Sequence, residues 1–163
     1  MPSTTESRIR SLYRYPVKGL TGERLKAVEL APHQTFPMDR AYALENGPSG
    51  FDPAAPKWFP KTVFLCWMKN ARLAALDTLF DDASETLTIR RGGETLLKEN
   101  LGDENGRRAI EGFFETYMGE EKRGPIRLLQ AAGHSFSDLS KKVVSLINLA
   151  TLAELETRLA SRD

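Results

Sequence analysis

The stretch YPVKGLTGERL, residues 15–25, follows a run of β-branched and aromatic residues and carries two glycines. Residues 8–17, RIRSLYRYPV, have the alternation and composition of a strand, and residues 24–30, RLKAVEL, predict a second strand. Gly19 and Gly22 predict a tight connection between the two strands. The N-terminal segment is therefore predicted to be hairpin-like.

Outward from this segment, the sequence predicts a meander of short strands and two helices. The sequence Arg91-Gly92-Gly93 predicts a hairpin, because glycine adopts positive φ at little cost. Proline and glycine predict a surface loop over residues 45–60. Strands are predicted at 40–45, the first half of 62–68, 72–78, 86–90, 94–99 and 125–131. The run 62–68 could instead belong to a helix over residues 61–79, and residues 143–149 form either a strand or the start of a helix.

Two segments have apolar residues at helical spacing. Residues 104–118 predict a helix that ends at Gly119, and residues 151–159 predict a second one. Thr151 and Glu154 have the spacing of a capping box for this last helix. Its apolar stripe needs a surface to cover it.

Composition excludes several classes of protein. The chain has 163 residues, of which 40% are hydrophobic and 28% charged, which suits one ordinary core. Its 23 basic and 22 acidic residues alternate without a block, which argues against nucleic acid or a membrane as partner. With Cys66, His33 and His134 as the full set of cysteines and histidines, a zinc site is not expected. We expect a cytoplasmic protein without a metal held by its own side chains.

Lys18 and Arg40 are the most suggestive charged pair. Lys18 is at the end of a predicted strand and Arg40, in MDR, is at the start of another, so the two cations could converge on one anion. The alternative is a solvated lysine at a turn and a local ion pair between Asp39 and Arg40. Sequence position alone leaves both interpretations open.

Two other residues suggest chemistry but have simpler explanations. Cys66 lies in the apolar run FLCWM, where a cysteine is usually a small buried hydrophobe and not a nucleophile. His134 is next to Ser135 and close to Ser137, as a hydrolase would need, but residues adjacent in a loop rarely form a nucleophile–base pair, so a turn histidine is the simpler explanation. No catalytic residue is predicted.

The order of motifs resembles a known family. YPVKG, then MDRAYAL, then HSFSDLSKKVVSLINLATLAELE after a helix is similar to the N-terminal β-barrel domain of MOSC proteins, which include molybdenum cofactor sulfurases and amidoxime-reducing components. The resemblance implies an α+β fold, mainly an antiparallel β-barrel-like domain over residues 1–138 with one or two packed helices. Residues 139–163 would be the incomplete beginning of the MOSC domain.

The resemblance also implies a site. Lys18, in the YPVKS-like element, and Arg40, in the DR element, would hold the anionic phosphate and pterin portion of a molybdenum cofactor, and the glycines would let the backbone approach that ligand. Gly19 stands where the family commonly has serine. Asn148 and Thr151 are further candidate cofactor contacts. The family's reactive cysteine lies downstream of SLINLA, so Cys66 inherits no role.

Two functions follow as expectations. The chain is either the N-terminal part of a molybdenum-cofactor protein, inactive alone, that in full would relay sulfur or reduce N-hydroxylated substrates as an oxidoreductase, or a stand-alone interaction module that keeps the barrel without the cofactor. Its partner would be the missing C-terminal MOSC portion or a protein bound through the last helix, including a second copy of the chain.

Overall fold

The structure is a computed structural model that describes residues 7–160. Within these residues the chain forms eight strands, two α-helices and three short 3-10 segments. The strands are β1 (Leu12–Arg14), β2 (Val17–Lys18), β3 (Glu23–Leu25), β4 (Tyr42–Asn46), β5 (Asp77–Asp81), β6 (Thr86–Arg91), β7 (Glu94–Asn100) and β8 (Ile126–Gln130); the α-helices are α1 (Glu104–Met118) and α2 (Leu149–Ala160); the 3-10 segments are Lys61–Val63, Ala71–Ala75 and Gly119–Glu121.

The described strands form three small sheets. β1 pairs antiparallel with β3, and Leu12 lies opposite Leu25. β4 is the centre of a second sheet, with β2 parallel on one side and β8 antiparallel on the other. β5, β6 and β7 form an antiparallel meander.

Within residues 7–160, the sheets do not close into the barrel that the resemblance implied. β1, β2 and β3 have only two or three residues each, and β1 and β2 belong to different sheets. Such short strands give each other few ladder hydrogen bonds, so they do not link the sheets edge to edge. The α+β class is confirmed, and the antiparallel character holds except for the β2–β4 pair.

The hairpin of residues 86–100 forms as predicted. Gly92 and Gly93 have φ values of 58° and 86°, the left-handed conformation that this two-residue turn requires. The strands on either side pair antiparallel, with Arg91 opposite Glu94 and an irregularity between Ile89 and Arg90.

Helix α1 also has the predicted bounds. The Asp103 side chain caps it by accepting from the Gly106 N–H at 3.0 Å, and Gly119 ends it with a φ of 52°. Its apolar face, Ile110, Phe114 and Met118, is buried in the main core. That core also contains Tyr42 and Leu44 of β4, so α1 packs over the central sheet.

The predictions for residues 62–78 are wrong in part. Residues 62 and 63 belong to the 3-10 segment Lys61–Val63, and buried Phe64 forms an isolated bridge with Glu45, so the strand predicted for the first half of 62–68 is wrong. The helix alternative is wrong as well, since the helical segments over residues 61–79 are short 3-10 turns. Residues 71–75 are 3-10 and not strand, and the strand starts later, at Asp77. Likewise the second strand of the N-terminal hairpin ends at Leu25, short of the predicted residue 30.

Helix α2 forms, but its predicted cap is wrong. The Asn148 Oδ1 atom accepts from the Ala150 and Thr151 N–H groups at 2.9 and 3.4 Å, which places Thr151 inside the helix. The strand alternative for residues 143–149 is also wrong, since 143–148 have no regular structure. No residue of α2 is buried, so only one of the two helices packs as expected. Among the described residues, no helix is long and apolar enough to cross a membrane.

Candidate functional site

A surface pocket of about 200 Å³ lies beside the end of β2. It combines basic, aromatic and sulfur-containing side chains. The residues that line it are Tyr15, Lys18, Gly19, Leu20, Arg40, Lys61, Cys66, Trp67, Met68 and Asp138.

Lys18 is fixed at the inner wall of this pocket. Its position follows from the parallel pairing of β2 with β4, in which Lys18 lies opposite Ala43. The residue is only 4% exposed, so it is not the solvated turn lysine of the simpler interpretation. Its Nζ donates to the Phe136 carbonyl oxygen at 2.8 Å and forms an ion pair with the Asp138 carboxylate. Burial lowers the pKa of Lys18, and the bond to Asp138 offsets part of that effect.

Asp138 also lines the pocket, in direct contact with Lys18. Burial alone would raise the pKa of this carboxyl group. The hydrogen bond and charge of Lys18, with the charges of Arg40 and Lys61, outweigh burial and hold the pKa of Asp138 below its usual value. The carboxylate therefore lies in a field made by three cations.

Arg40 reaches the same pocket from the segment before β4. Its φ is 53°, and its N–H donates to the Tyr15 carbonyl oxygen at 2.6 Å. The guanidinium lies 5.0 Å from the centre of the Tyr15 ring and pairs with Asp39. Asp39 in turn accepts from the Tyr15 N–H at 2.8 Å. The local Asp39–Arg40 ion pair and the convergence of Arg40 with Lys18 are thus both present.

The loop after β8 closes the pocket. The Ser135 hydroxyl donates to the Asp39 carbonyl at 2.9 Å, and the Phe136 N–H donates to the Arg40 carbonyl at 2.8 Å. Phe136 is buried against Phe51 and Phe64, with ring centres 5.0 and 5.4 Å away. These contacts hold the loop against the segments of Arg40 and Phe64, and so place Asp138 beside Lys18.

Comparison with known protein families identifies the domain. A family model described as the MOSC N-terminal beta barrel domain matches residues 6–122, well over half of the chain. The chain belongs to the MOSC N-terminal beta barrel domain family. No curated protein and no solved structure matches it.

Lys18, Gly19 and Arg40 lie within the part that matches the MOSC N-terminal family, whereas Asp138 lies beyond it. Asn148 and Thr151 also lie beyond it, on the exposed start of α2, and they do not line the pocket. The structure therefore brings Lys18, Gly19 and Arg40 together and leaves the other two apart. A role for Asn148 and Thr151 in cofactor binding stays a prediction.

The protein itself explains why residue 19 is a glycine. The φ of Gly19 is 80°, and a Cβ atom there would lie 2.3 Å from the Leu65 carbonyl oxygen. A Cβ at Gly22 would lie 2.7 Å from the Tyr15 ring. In the protein itself, Leu65 and Tyr15 occupy the space that side chains at these positions would need, and the approach of the backbone to a ligand stays a prediction.

Several pocket residues were not found by sequence reasoning. Lys61, Trp67 and Met68 come from a segment predicted as strand or loop, and nothing in their local pattern signals a shared site with residue 18. Cys66 is buried and free as predicted, but its position in the pocket wall was missed. Asp138 was not predicted either, since it lies 120 positions from Lys18 and its local sequence shows no sign of that contact.

The hydrolase possibility gains no geometric support. The His134 ring packs on Phe51 and Phe136, with centres 5.5 and 4.8 Å apart, and burial followed by the charge of Lys142 lowers the pKa of His134. The Ser135 hydroxyl is used by a backbone carbonyl. Over residues 7–160, no hydrogen bond joins His134 to a serine, and no group of three or more His, Cys, Asp or Glu residues could hold a metal ion.

Proposed function

We propose that the pocket binds an anionic group through Lys18 and Arg40, and that in the complete protein this group is the phosphate-bearing part of a molybdenum cofactor. The observation that supports this function is the convergence of a buried lysine and a half-buried arginine, from two separate segments, on one surface pocket. Fixed cations bind anions most strongly where water is partly excluded.

The side chains present suit that part of the cofactor. Lys18, Arg40 and Lys61 supply positive charge for phosphate oxygens, while Tyr15 and Trp67 supply flat surfaces beside them. When bound, the cofactor supplies redox or sulfur-transfer chemistry, and the residues of this chain bind and orient it. The thiolate chemistry would come from outside residues 1–163. The complete protein would then relay sulfur or reduce N-hydroxylated substrates.

Pterin content tests this proposal. The chain is expressed in a host that makes molybdenum cofactor, oxidised with acid and iodine, and assayed for fluorescence of the released pterin. Lys18→Gln and Arg40→Gln should each lower the pterin content, whereas Lys98→Gln, an exposed cation on β7, should not. Equal pterin content in all four proteins would contradict the assigned binding role.

A second candidate function is an interaction module, which the exposed helix α2 favours. Leu152, Leu155 and Leu159 are 44%, 51% and 64% exposed, and such an apolar stripe usually marks an interface. We propose the C-terminal MOSC portion as its partner, or in its absence a second copy of the chain.

Sedimentation velocity at increasing concentration tests the self-association version. Leu155→Glu should weaken association, while Leu79→Glu, at an exposed leucine of β5, should leave it unchanged. A strictly monomeric wild-type protein at high concentration would rule this version out. Pterin content distinguishes the two candidate functions, since the interaction module requires none.

A further inference from the structure

The buried ammonium of Lys18 already has an anionic partner within the chain. Of its two acceptors, the Phe136 carbonyl is neutral and the Asp138 carboxylate is charged. Among the described residues that line the pocket, Asp138 is the sole carboxylate. A buried cation is costly without a counter-charge, and Asp138 supplies that charge. Asp138 therefore occupies the position that a ligand anion would need.

The two partners differ in how firmly they are held. The Lys18 side chain is 4% exposed and belongs to a paired strand, whereas the Asp138 side chain is 57% exposed. The chain before Asp138 is anchored through buried Phe136, and beyond it the Leu139 N–H bonds to the Ser137 hydroxyl. Rotation of the Asp138 side chain toward solvent therefore disturbs neither the core nor the loop.

We propose that Asp138 is an internal counter-ion that occupies the anion position beside Lys18 and is displaced by the ligand when it binds. The proposal rests on the anion-binding function above and adds its regulation. The incoming anion takes over the charges of Lys18, Arg40 and Lys61 that now act on Asp138. Because carboxylate and ligand compete for the same cations, Asp138 lowers the affinity of the pocket for anions and favours multiply charged ones.

Binding of inorganic pyrophosphate, measured by calorimetric or NMR titration, tests the proposal in the full chain. Asp138→Asn should bind about fivefold more tightly than wild type, since an ion pair with one exposed partner has a modest free energy. Asp77→Asn is the matched control, because it removes the same charge from an exposed position on β5 that does not line the pocket. Equal or weaker binding by Asp138→Asn would overturn the proposal, as would equal strengthening by Asp77→Asn.

Thermal unfolding gives a second readout. Asp138→Asn and Asp138→Ser leave Lys18 without a counter-charge, so their unfolding midpoints should be lower than that of wild type. Pyrophosphate should raise the midpoint of each variant by more than it raises the wild-type midpoint. An equal or smaller rise would overturn the proposal, even where binding is too weak to titrate.

Failure of this inference and failure of the proposed function give different results. If pyrophosphate binds Lys18→Gln and Arg40→Gln as tightly as wild type, the anion-binding function itself is wrong. If those variants lose binding but Asp138→Asn does not gain it, the function stands and the counter-ion role is wrong. If neither wild type nor Asp138→Asn binds, both are wrong.

Discussion

At the scale of single residues, the pocket depends on Gly19, because the backbone there leaves no room for a side chain. Gly19 combines a φ of 80° with a Cβ direction that points into the Leu65 carbonyl. The adjacent residue, Lys18, forms the inner wall of the pocket. A change at Gly19 therefore moves either β2 or the segment of Leu65, and with it the buried cation.

Gly19→Ala should be strongly destabilising. The clash with backbone and the left-handed φ together should cost about 2 kcal/mol or more in the free energy of unfolding. Gly50→Ala is the control, since Gly50 has a similar φ of 79° but nothing within 4 Å of its Cβ position, and should cost only about 1 kcal/mol. Urea denaturation measures both, and equal losses would show that the Leu65 contact is not limiting.

His134 should make stability depend on pH. Its pKa is lowered in the folded protein, so the unfolded chain binds more protons below the ordinary value of 6.5, and the free energy of unfolding should fall as the pH drops through and below that value. His134→Phe should flatten this dependence, whereas His33→Asn, at an exposed histidine, should retain it. Urea midpoints between about pH 5 and pH 8 measure the effect.

At the scale of elements, local sequence signals determine some segments of the fold and tertiary contacts determine others. The hairpin of 86–100 and helix α1 could be predicted because glycines, a cap and regular spacing all lie within the segment. The structure of residues 62–68 could not be predicted, because residues outside the run determine its backbone hydrogen bonds. The Leu65 N–H donates to the Leu44 carbonyl at 2.8 Å, and the Asn70 side chain accepts from the Cys66 N–H at 3.1 Å. The apolar run is buried at Phe64, Leu65 and Cys66 but exposed at Trp67 and Met68, and it does not form a strand.

The two glycines of α1 should respond in opposite directions to alanine. At Gly112 a Cβ has open space, so Gly112→Ala should raise the free energy of unfolding by about 0.5–1 kcal/mol through helix propensity. At Gly106 a Cβ would lie 2.0 Å from the Asn100 carbonyl oxygen, so Gly106→Ala should be destabilising despite the same gain in propensity. Urea denaturation checks the signs, and stabilisation by both would contradict the close approach of β7.

At the scale of the whole molecule, the chain has a packed part and an exposed extension. The sheets, α1 and the loop to Phe136 share two apolar cores, while residues 143–160 are exposed throughout. From charge and position, the sequence predicted that Lys18 and Arg40 could converge on one anion. It could not predict Asp138, Lys61 or Cys66 as their neighbours, because the chain reverses several times between them.

Hydrogen exchange should separate the two parts. Amides of α1 should exchange slowly, because its hydrogen bonds are broken only when the core opens, whereas amides of α2 should exchange within the dead time of a manual experiment. Backbone NMR after transfer to D₂O measures both. Protection of α2 equal to that of α1 in a monomer would contradict its exposed state, and protection that rises with protein concentration would indicate self-association.

The hydrogen bond from Lys18 to Phe136 spans 118 positions of the chain, and this has a consequence for synthesis. At a translation rate of about 5–20 residues per second, Phe136 and Asp138 are synthesised roughly 6–24 seconds after Lys18. Closing so long a loop is also slow in refolding from denaturant. The nascent chain therefore carries an unneutralised lysine on a two-residue strand until almost all of the described residues have left the ribosome.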